Sequence, residues 1–440
     1  MWAICKKEWA HYFGSLSGYL IISFYLLVNG LLLFVLPNFN VLDFGYTSLQ
    51  VYFDFAPWFL LLLIPAITMR SFADEQSQGT SEILYSLPIS VVQIVLGKLL
   101  GVFLIILIAL APTLVYALVL DQLSATGGLD WGASIGAYFG LLLLATTFAT
   151  MGLFASSKTK QPVVAFVLSI LMAFFVWKGF DWMSTMPFVD QVYAYYITQL
   201  GMSAHFENMS RGVITATDLV YFISVVVLFI FGCKENISQQ KQSIFLFILV
   251  LALNIGAFFF PVQFDLTKDK RYTLGDTSKQ IIQGVQNPIK IHLYLGGELP
   301  KEYKKLSIAT IEMLHKIVGE NKENISWQLE VPNQEFSDTS LYRVYDSLSS
   351  MGLPIERVQS DASKADQRID QLIIPGILIE TPGKPAVAID LRTGKKYYKP
   401  YNIVKDVPEE DKEASFNAAS SLLEFKIIQG IYYLNRTAIP

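Results

Sequence analysis

Seven stretches of this chain are too apolar to lie in water. They cover about residues 18–36, 52–69, 96–120, 133–156, 162–179 and 217–233, with a seventh from about Gln242 to Pro261. A hydrocarbon layer about 30 Å thick takes roughly 20 residues of helix, so each stretch reads as a membrane span. Composition agrees: 53% of the 440 residues are hydrophobic and only 16% are charged, against about a quarter charged in ordinary soluble domains. The excess apolar surface has to face lipid. Pro65, Pro112 and Gly152 fall inside spans, where neighbouring helices can satisfy the backbone groups they free. The stretch from Gly18 to Leu36 is too long for the apolar region of a signal peptide and lacks a small-residue cleavage site.

Lysine and arginine in the short loops set the orientation. Ten basic residues precede position 242, and eight of them (Lys6, Lys7, Arg70, Lys98, Lys158, Lys160, Lys234 and Lys241) fall on one side of the seven spans. Only Lys178 and Arg211 fall on the other. This places the N-terminus in the cytoplasm and everything after Pro261 outside. Cys5 and Cys233 then both lie at the reducing face, so neither a disulfide nor a metal site is expected. The net charge of −4 comes without a dense basic patch, and no nucleic-acid partner is expected.

After Pro261 the pattern becomes that of a soluble fold. Pro288–Gly296 and Ile325–Val331 read as strands, and Lys301–Val318 as a helix with Leu306, Thr310, Met313 and Ile317 on one face. Ile373–Glu380 and Ala386–Leu391 flank a Pro382-Gly383 turn and read as a hairpin. Strands alternating with helices predict an α/β layer structure. The last helix, about Ser415–Leu434, runs almost to the chain end, and the domain is expected to be a truncated piece of a longer one.

The segment Arg70–Lys98, between spans two and three, carries the strongest functional signal. It mixes Phe72, Ile83, Leu84, Leu87 and Ile89 with Asp74, Glu75, Gln76, Gln78 and Glu82. That mixture predicts two short amphipathic helices at the membrane surface, with a turn at Gly79-Thr80 and a stop before Pro88. Such an element can serve as a lever for a subunit below the membrane, or it can simply seat the bundle. Arg70, Ala73, Glu75, Gly79-Thr80, Glu82, Leu84, Ser86, Leu87-Pro88-Ile89-Ser90 and Gly97-Lys98 resemble the signature of type-2 (ABC-2) ABC transporter permeases. The resemblance implies that this loop is the coupling helix that docks into a separate ATP-binding subunit. Ile4–Tyr12, with Lys6, Lys7 and Glu8, resembles the family's interfacial helix before span one.

Further along, Phe264-Asp265-Leu266-Thr267, Lys270-Arg271-Tyr272-Thr273-Leu274 and Pro288-Ile289-Lys290-Ile291 resemble the start of the auxiliary subunit of the gliding-motility-associated ABC transporter. Together the two resemblances imply a permease fused to the N-terminal part of its auxiliary subunit. The expected fold is an α-helical polytopic membrane bundle, six permease spans plus a seventh anchor helix, followed by an extracytoplasmic α/β domain. The expected bounds are 1–235, 236–262 and 263–440. The signature implies coupling residues at Arg70, Glu75, Gly79, Thr80, Glu82, Leu84, Leu87, Pro88, Gly97 and Lys98, and an auxiliary-domain signature at Asp265, Arg271, Tyr272, Thr273 and Leu274.

No Gly-x-x-x-x-Gly-Lys-Ser/Thr loop occurs, so ATP and its Mg²⁺ are expected on a partner subunit, with no cofactor bound directly. His11, His205, His292 and His315 are scattered over different elements and read as packed or solvated. Gly-x-x-x-Gly spacing at Gly97–Gly101 and Gly136–Gly140 marks either helix packing or chance. Asp54, Lys178 and Asp181 read as boundary charges, Tyr193–Tyr196 as an interfacial aromatic belt, and Lys395–Lys399 as a solvated strand edge. The leading reading is the permease of an ABC transporter, embedded in the lipid of a bacterial inner membrane and working as a dimer or with a paralogous half. An alternative of another class stays open: a membrane-anchored scaffold or sensor whose outer domain binds an envelope partner.

Overall fold

The computed structural model describes every residue except 37–48, 87, 125–127, 187–188, 190, 239–242, 259–261, 269–272, 298, 332–344, 361–368, 395, 397–411 and 436–440. Two compact units emerge. One comprises Met1–Trp182 with Ile197–Tyr272, the other Met183–Tyr196 with Thr273–Pro440. The expected boundary at 262/263 therefore falls ten residues before the observed crossing, and the second unit takes in a stretch from the middle of the permease region.

The membrane unit starts with α1 (Trp2–Phe13) and α2 (Leu16–Phe34), which meet at a bend of 72°. Its other long helices are α3 (Gln50–Thr68), α6 (Val91–Leu110), α8 (Trp131–Lys158), α9 (Pro162–Phe174) and α13 (Ala216–Ser238). The short α4 (Ala73–Ser77) and α5 (Ser81–Tyr85) lie between α3 and α6. A 3₁₀ turn at Ala111–Thr113 carries α6 into α7 (Leu114–Leu123). A π-helical turn at Phe175–Gly179 carries α9 into α10 (Phe180–Ser184).

Among the described residues, five helical stretches are long and apolar enough to cross a membrane: Gln50–Ser77, Val91–Leu123, Trp131–Lys158, Pro162–Ser184 and Ala216–Ile237. The bent α1–α2 pair makes a sixth if counted as one span. The seventh apolar stretch forms α14 (Ser243–Phe258); its described apolar part, Phe247–Ala257, is shorter than a full crossing. Asn254 Nδ2 of α14 donates to Ser224 Oγ of α13 at 2.8 Å, a polar contact that fastens the two helices.

Glycines set the closest helix approaches. A Cβ at Gly152 of α8 would stand 2.0 Å from Thr68 Oγ1 of α3, and one at Gly140 would stand 2.5 Å from Met209 Cβ in α12 (Met202–Ser210). After α12, β1 (Val213–Thr215) pairs antiparallel with β2 (Gln263–Asp265), Ile214 opposite Phe264. Asp265 Oδ1 accepts from the backbone N–H of Thr267 at 2.9 Å and from its hydroxyl at 2.6 Å, closing a turn.

The second unit is built on a four-stranded sheet in the order β4-β3-β7-β8. Its strands are β3 (Ile289–Leu293), β4 (Ile325–Leu329), β7 (Gly376–Glu380) and β8 (Val387–Asp390). β3 and β4 run parallel because the crossover α16 (Lys301–Glu320) joins them. On β3, Ile289, Ile291 and Leu293 are buried while Lys290 is exposed. That buried face packs with Ile282 of α15 (Asp276–Gln283), Leu306, Leu314 and Ile317 of α16, and Ile427 and Ile431 near the C-terminus. A smaller cluster joins Tyr345 and Leu348, from the helix α17 at 345–350, to Leu353, Ile374 and Leu378. The hairpin turns where expected, with Gly383 at φ +80°.

Two expected elements are split. Ile373–Glu380 is read from sequence as one strand, but β6 (Ile369–Ile373), which pairs with β5 (Glu356–Ser360), ends before β7 begins. Pro375 has no N–H to continue a ladder, and its carbonyl instead accepts from Leu391 N at 3.0 Å. The last helix is two, α18 (Lys412–Ser420) and α19 (Leu423–Asn435). The Ser420 and Ser421 hydroxyls donate to the Phe416 and Ala418 carbonyls at 2.9 and 2.7 Å, competing with the backbone where the helix breaks.

Candidate functional site

The site is the loop from Arg70 to Lys98 together with what holds its base. α3 ends at Thr68, and Phe72, Ala73 and Glu75 are buried while Ser77, Gln78, Gly79, Thr80, Glu82 and Ile83 are exposed. The loop thus has a fixed base and a projecting tip. As the sequence predicts, it holds two short helices, α4 and α5, with the turn between them. Gly79 takes φ +72° in open space, a left-handed conformation that glycine adopts without steric cost. The turn is closed by Thr80, whose hydroxyl donates to the Glu75 carbonyl at 3.3 Å.

Ser156 of α8 supplies the cap that α4 lacks locally. Its Oγ accepts from the N–H of Phe72 at 3.0 Å and of Ala73 at 3.1 Å, and donates to the Met69 carbonyl at 2.9 Å. The two N–H groups are ones that a helix start leaves unpaired, and the Met69 carbonyl is one left by the end of α3. Gln76 Nε2 donates to the Ser157 carbonyl at 3.0 Å, so two consecutive α8 residues grip the loop. Burial, and after it the nearby Glu75 carboxylate, pushes the Tyr85 phenol up to about 12.

Below this lies a buried charge network. Lys98 is fully buried; its Nζ lies 2.8 Å from Glu8 Oε1 and 2.9 Å from Glu75 Oε1. It also donates to the Ser71 carbonyl at 2.6 Å and sits 4.7 Å from the centre of the Phe72 ring. Lys7 Nζ, largely exposed, reaches the same Glu75 oxygen at 2.7 Å. The other oxygen, Glu75 Oε2, is buried with no hydrogen-bond partner among the described residues. Two carboxylates against two ammonium groups leave the network neutral, the condition under which buried charge is tolerable.

The network joins three elements, α1 through Lys7 and Glu8, α4 through Glu75, and α6 through Lys98. Gly97 and Gly101 let α1 seat on α6. A Cβ at Gly97 would stand 2.9 Å from the Met1 carbonyl oxygen and 3.0 Å from Ile4 Cβ, and one at Gly101 would stand 2.8 Å from Glu8 Cβ. The Gly97–Gly101 spacing is thus a helix-packing motif here. α6 itself begins with a capping box: Ser90 Oγ accepts from Gln93 N at 3.3 Å and Gln93 Oε1 accepts from Ser90 N at 3.2 Å. The pair Ser90/Gln93 was readable in the sequence as a helix-start signal.

The candidate residues divide accordingly. Glu75, Gly97 and Lys98 meet at the base, Gly79, Thr80, Glu82 and Pro88 lie on the exposed side, and Leu84 is half-buried. Arg70 is exposed on the approach to the loop, and Leu87 lies outside the described residues. Of the second set, three residues are described. Asp265 closes its turn in the membrane unit, Leu274 enters the core of the other unit, Thr273 begins the second stretch of that unit, and Arg271 and Tyr272 lie outside the described residues.

These observations agree with what the chain resembles. Residues 2–232, more than half of its length, match the ABC-2 family transporter proteins. The chain belongs to that family. An ABC-2 protein is a membrane transport component that normally works with an ABC ATP-binding subunit, and the helical unit has the make-up of one. Residues 268–380 match a domain of unknown function, DUF7088. No curated protein matches the chain.

Sequence reasoning missed two polar features of this ABC-2 unit. His205, read as packed or solvated, is buried with Nδ1 2.7 Å from Asp218 Oδ1 and Nε2 2.9 Å from the Gln199 carbonyl. Its ring stacks on Tyr221 at 4.1 Å. Asp218 also accepts from Thr215 N at 3.2 Å and so closes the start of α13. The second feature is a chain of hydroxyls inside the bundle, Tyr25 to Tyr52 at 3.1 Å, Tyr52 to Thr113 at 3.0 Å and Thr113 to Tyr138 at 3.1 Å. No spacing rule links residues this far apart. Lys178 and Asp181, read from sequence as boundary charges, form a local ion pair, with Lys178 Nζ 2.8 Å from Asp181 Oδ2 three residues on.

Proposed function

We propose that the chain is the permease component of an ABC transporter, coupling ATP hydrolysis on a separate subunit to export of a substrate or to mechanical work on the cell envelope. The observation that carries this reading is the loop with a buried base and an exposed tip. Load applied to Gly79, Thr80, Glu82 and Ile83 by an ATP-binding subunit passes through Glu75 and Lys98 to α1 and α6, and through Ser156 to α8. ATP and Mg²⁺ sit on that subunit. In this scheme the N-terminus is cytoplasmic, α14 completes a seventh crossing, and the second unit is an extracytoplasmic auxiliary domain, the protein lying in a bacterial inner membrane. Two permease bundles pair in the working assembly. A role in gliding motility has its support in the likeness around Phe264–Leu274, and the auxiliary domain then meets an envelope partner.

The test is co-purification and ATPase stimulation with a Walker-motif subunit in lipid nanodiscs. Ile83→Asp at the exposed tip is expected to remove binding of the subunit, and Glu75→Gln to leave binding while lowering stimulation. If both variants bind and stimulate as the unsubstituted chain does, the lever reading is wrong and the scaffold reading takes its place.

A further inference from the structure

The segment Met183–Tyr196 belongs by sequence to the ABC-2 region, within the 2–232 match, yet it is packed into the unit formed by Thr273–Pro440. Tyr195 is buried in the same core cluster as Leu306, Ile311 and Leu314 of α16 and Ile291 of β3. Its ring stacks on His315 of α16 at 5.8 Å, and Ala194 beside it is fully buried. At the other end of the segment, the Ser184 carbonyl accepts from the Nζ of Lys304, a lysine only 8% exposed. A buried ammonium needs an acceptor, and the described acceptor comes from this segment rather than from residues 273–440.

The segment is not attached by loose linkers. The unit boundary after Trp182 lies inside α10, and the boundary after Tyr196 lies inside α11 (Gln191–Thr198). The last two residues of the candidate span Pro162–Ser184, Met183 and Ser184, therefore already belong to the second unit. The π turn at Phe175–Gly179 lies just before it, a type of turn that tends to occur where helices serve a function.

We propose that Met183–Tyr196 is a docking element carried by the permease, by which the α16 face around Lys304 and His315 is held non-covalently. The C-terminal unit is thereby fastened to both the entering and the leaving helix of this segment, in addition to its covalent link at 272/273. A displacement of the Pro162–Ser184 span reaches the unit through Ser184 and Tyr195 without passing through the 269–272 segment. The partner of this surface is fixed: the carbonyl at the end of α10 and one buried aromatic ring of α11. Burial and the Ser184 carbonyl leave Lys304 little water, and desolvation lowers its ammonium from the usual lysine value.

The test uses the full-length protein with a protease site placed in 269–272, solubilised in detergent, cut after purification and run on a sizing column. The released piece, 273–440, carries no candidate span among its described residues and is free to leave if only the covalent link holds it. It is expected to co-elute with the membrane part in the unsubstituted protein. Tyr195→Ala is expected to weaken retention roughly ten- to hundredfold, the equivalent of losing one buried aromatic side chain, and Ala194→Arg to abolish it. Both changes lie outside 273–440, so circular dichroism of the released fragment separates release from misfolding. Release from the unsubstituted protein on cutting, or full retention in both variants, overturns the proposal.

Discussion

Lys98 Nζ lies 2.9 Å from Glu75 Oε1, and neither side chain is more than 11% exposed. A fully buried cation of the third apolar stretch is therefore neutralised by the base of the loop that precedes it. Removing Lys98 leaves the carboxylates of Glu8 and Glu75 together without it, so Lys98→Met is expected to cost about 3–5 kcal/mol. The measurement is thermal melting of the detergent-solubilised protein. Adding Glu75→Gln to Lys98→Met is expected to recover part of the loss, because the two groups are coupled. Lys7→Ala, at the exposed end of the network, is expected to cost no more than about 1 kcal/mol.

The seat of α1 gives a steric prediction. A side chain at Gly97 or Gly101 meets the Met1 carbonyl, Ile4 or Glu8 at 3.0 Å or less. Gly101→Val is expected to lift α1 from α6 and expose the 1–14 region to protease, while Gly256→Ala, where a Cβ meets nothing within 4 Å, changes nothing. Equal protease resistance in the two variants would refute the seat.

The tip gives a conformational one. Gly79 sits at φ +72° with open space around it, so only the backbone opposes a side chain there. Gly79→Val is expected to cost about 1–2 kcal/mol through strain alone, and Gly79→Asn, which tolerates this region, markedly less. Because the tip is exposed, the turn is expected to relieve that strain by rearranging locally, so that the bundle's melting temperature stays unchanged while binding of the ATP-binding subunit falls more in Gly79→Val than in Gly79→Asn.

The pH prediction concerns the C-terminal unit. Burial pushes the Lys426 ammonium down to about 8, against a smaller opposing pull from Asp390. Below that value lysine is charged in both the folded and the unfolded chain, and the cost of burying the charge is fully present. As pH rises from about 8 towards the ordinary lysine value, the folded chain sheds the proton first, so stability increases. Melting of the unit is expected to rise over that window, and to rise less in Lys426→Met. Lys304, lowered in the same way, contributes with the same sign.

Most of the architecture was legible because burial leaves a periodic trace in each element. Lys301–Val318 and the turn at Gly79-Thr80 stand where their spacing placed them. What a single element cannot reveal is which other element it meets. Glu8, Glu75 and Lys98 each look like solvated charges in their own neighbourhoods, and only the folding of α1 onto α6 brings them together. Tyr195 misled for the same reason. Its aromatic neighbours read as an interfacial belt, and Tyr193 and Tyr196 are exposed, but Tyr195 turns into a core made mainly by residues after position 273. The break at Ile374-Pro375 was missed because an apolar run on either side of a proline looks continuous by hydropathy.

The hydroxyl of Ser156 has a consequence for engineering. Because the first amides of α4 are satisfied from a different helix, 83 and 84 positions away, the lever is not a self-contained cassette. Grafted onto another transporter without a matching serine, residues 70–98 would arrive with their opening turn undone. Chimeras that exchange this loop should carry the end of α8 along with it.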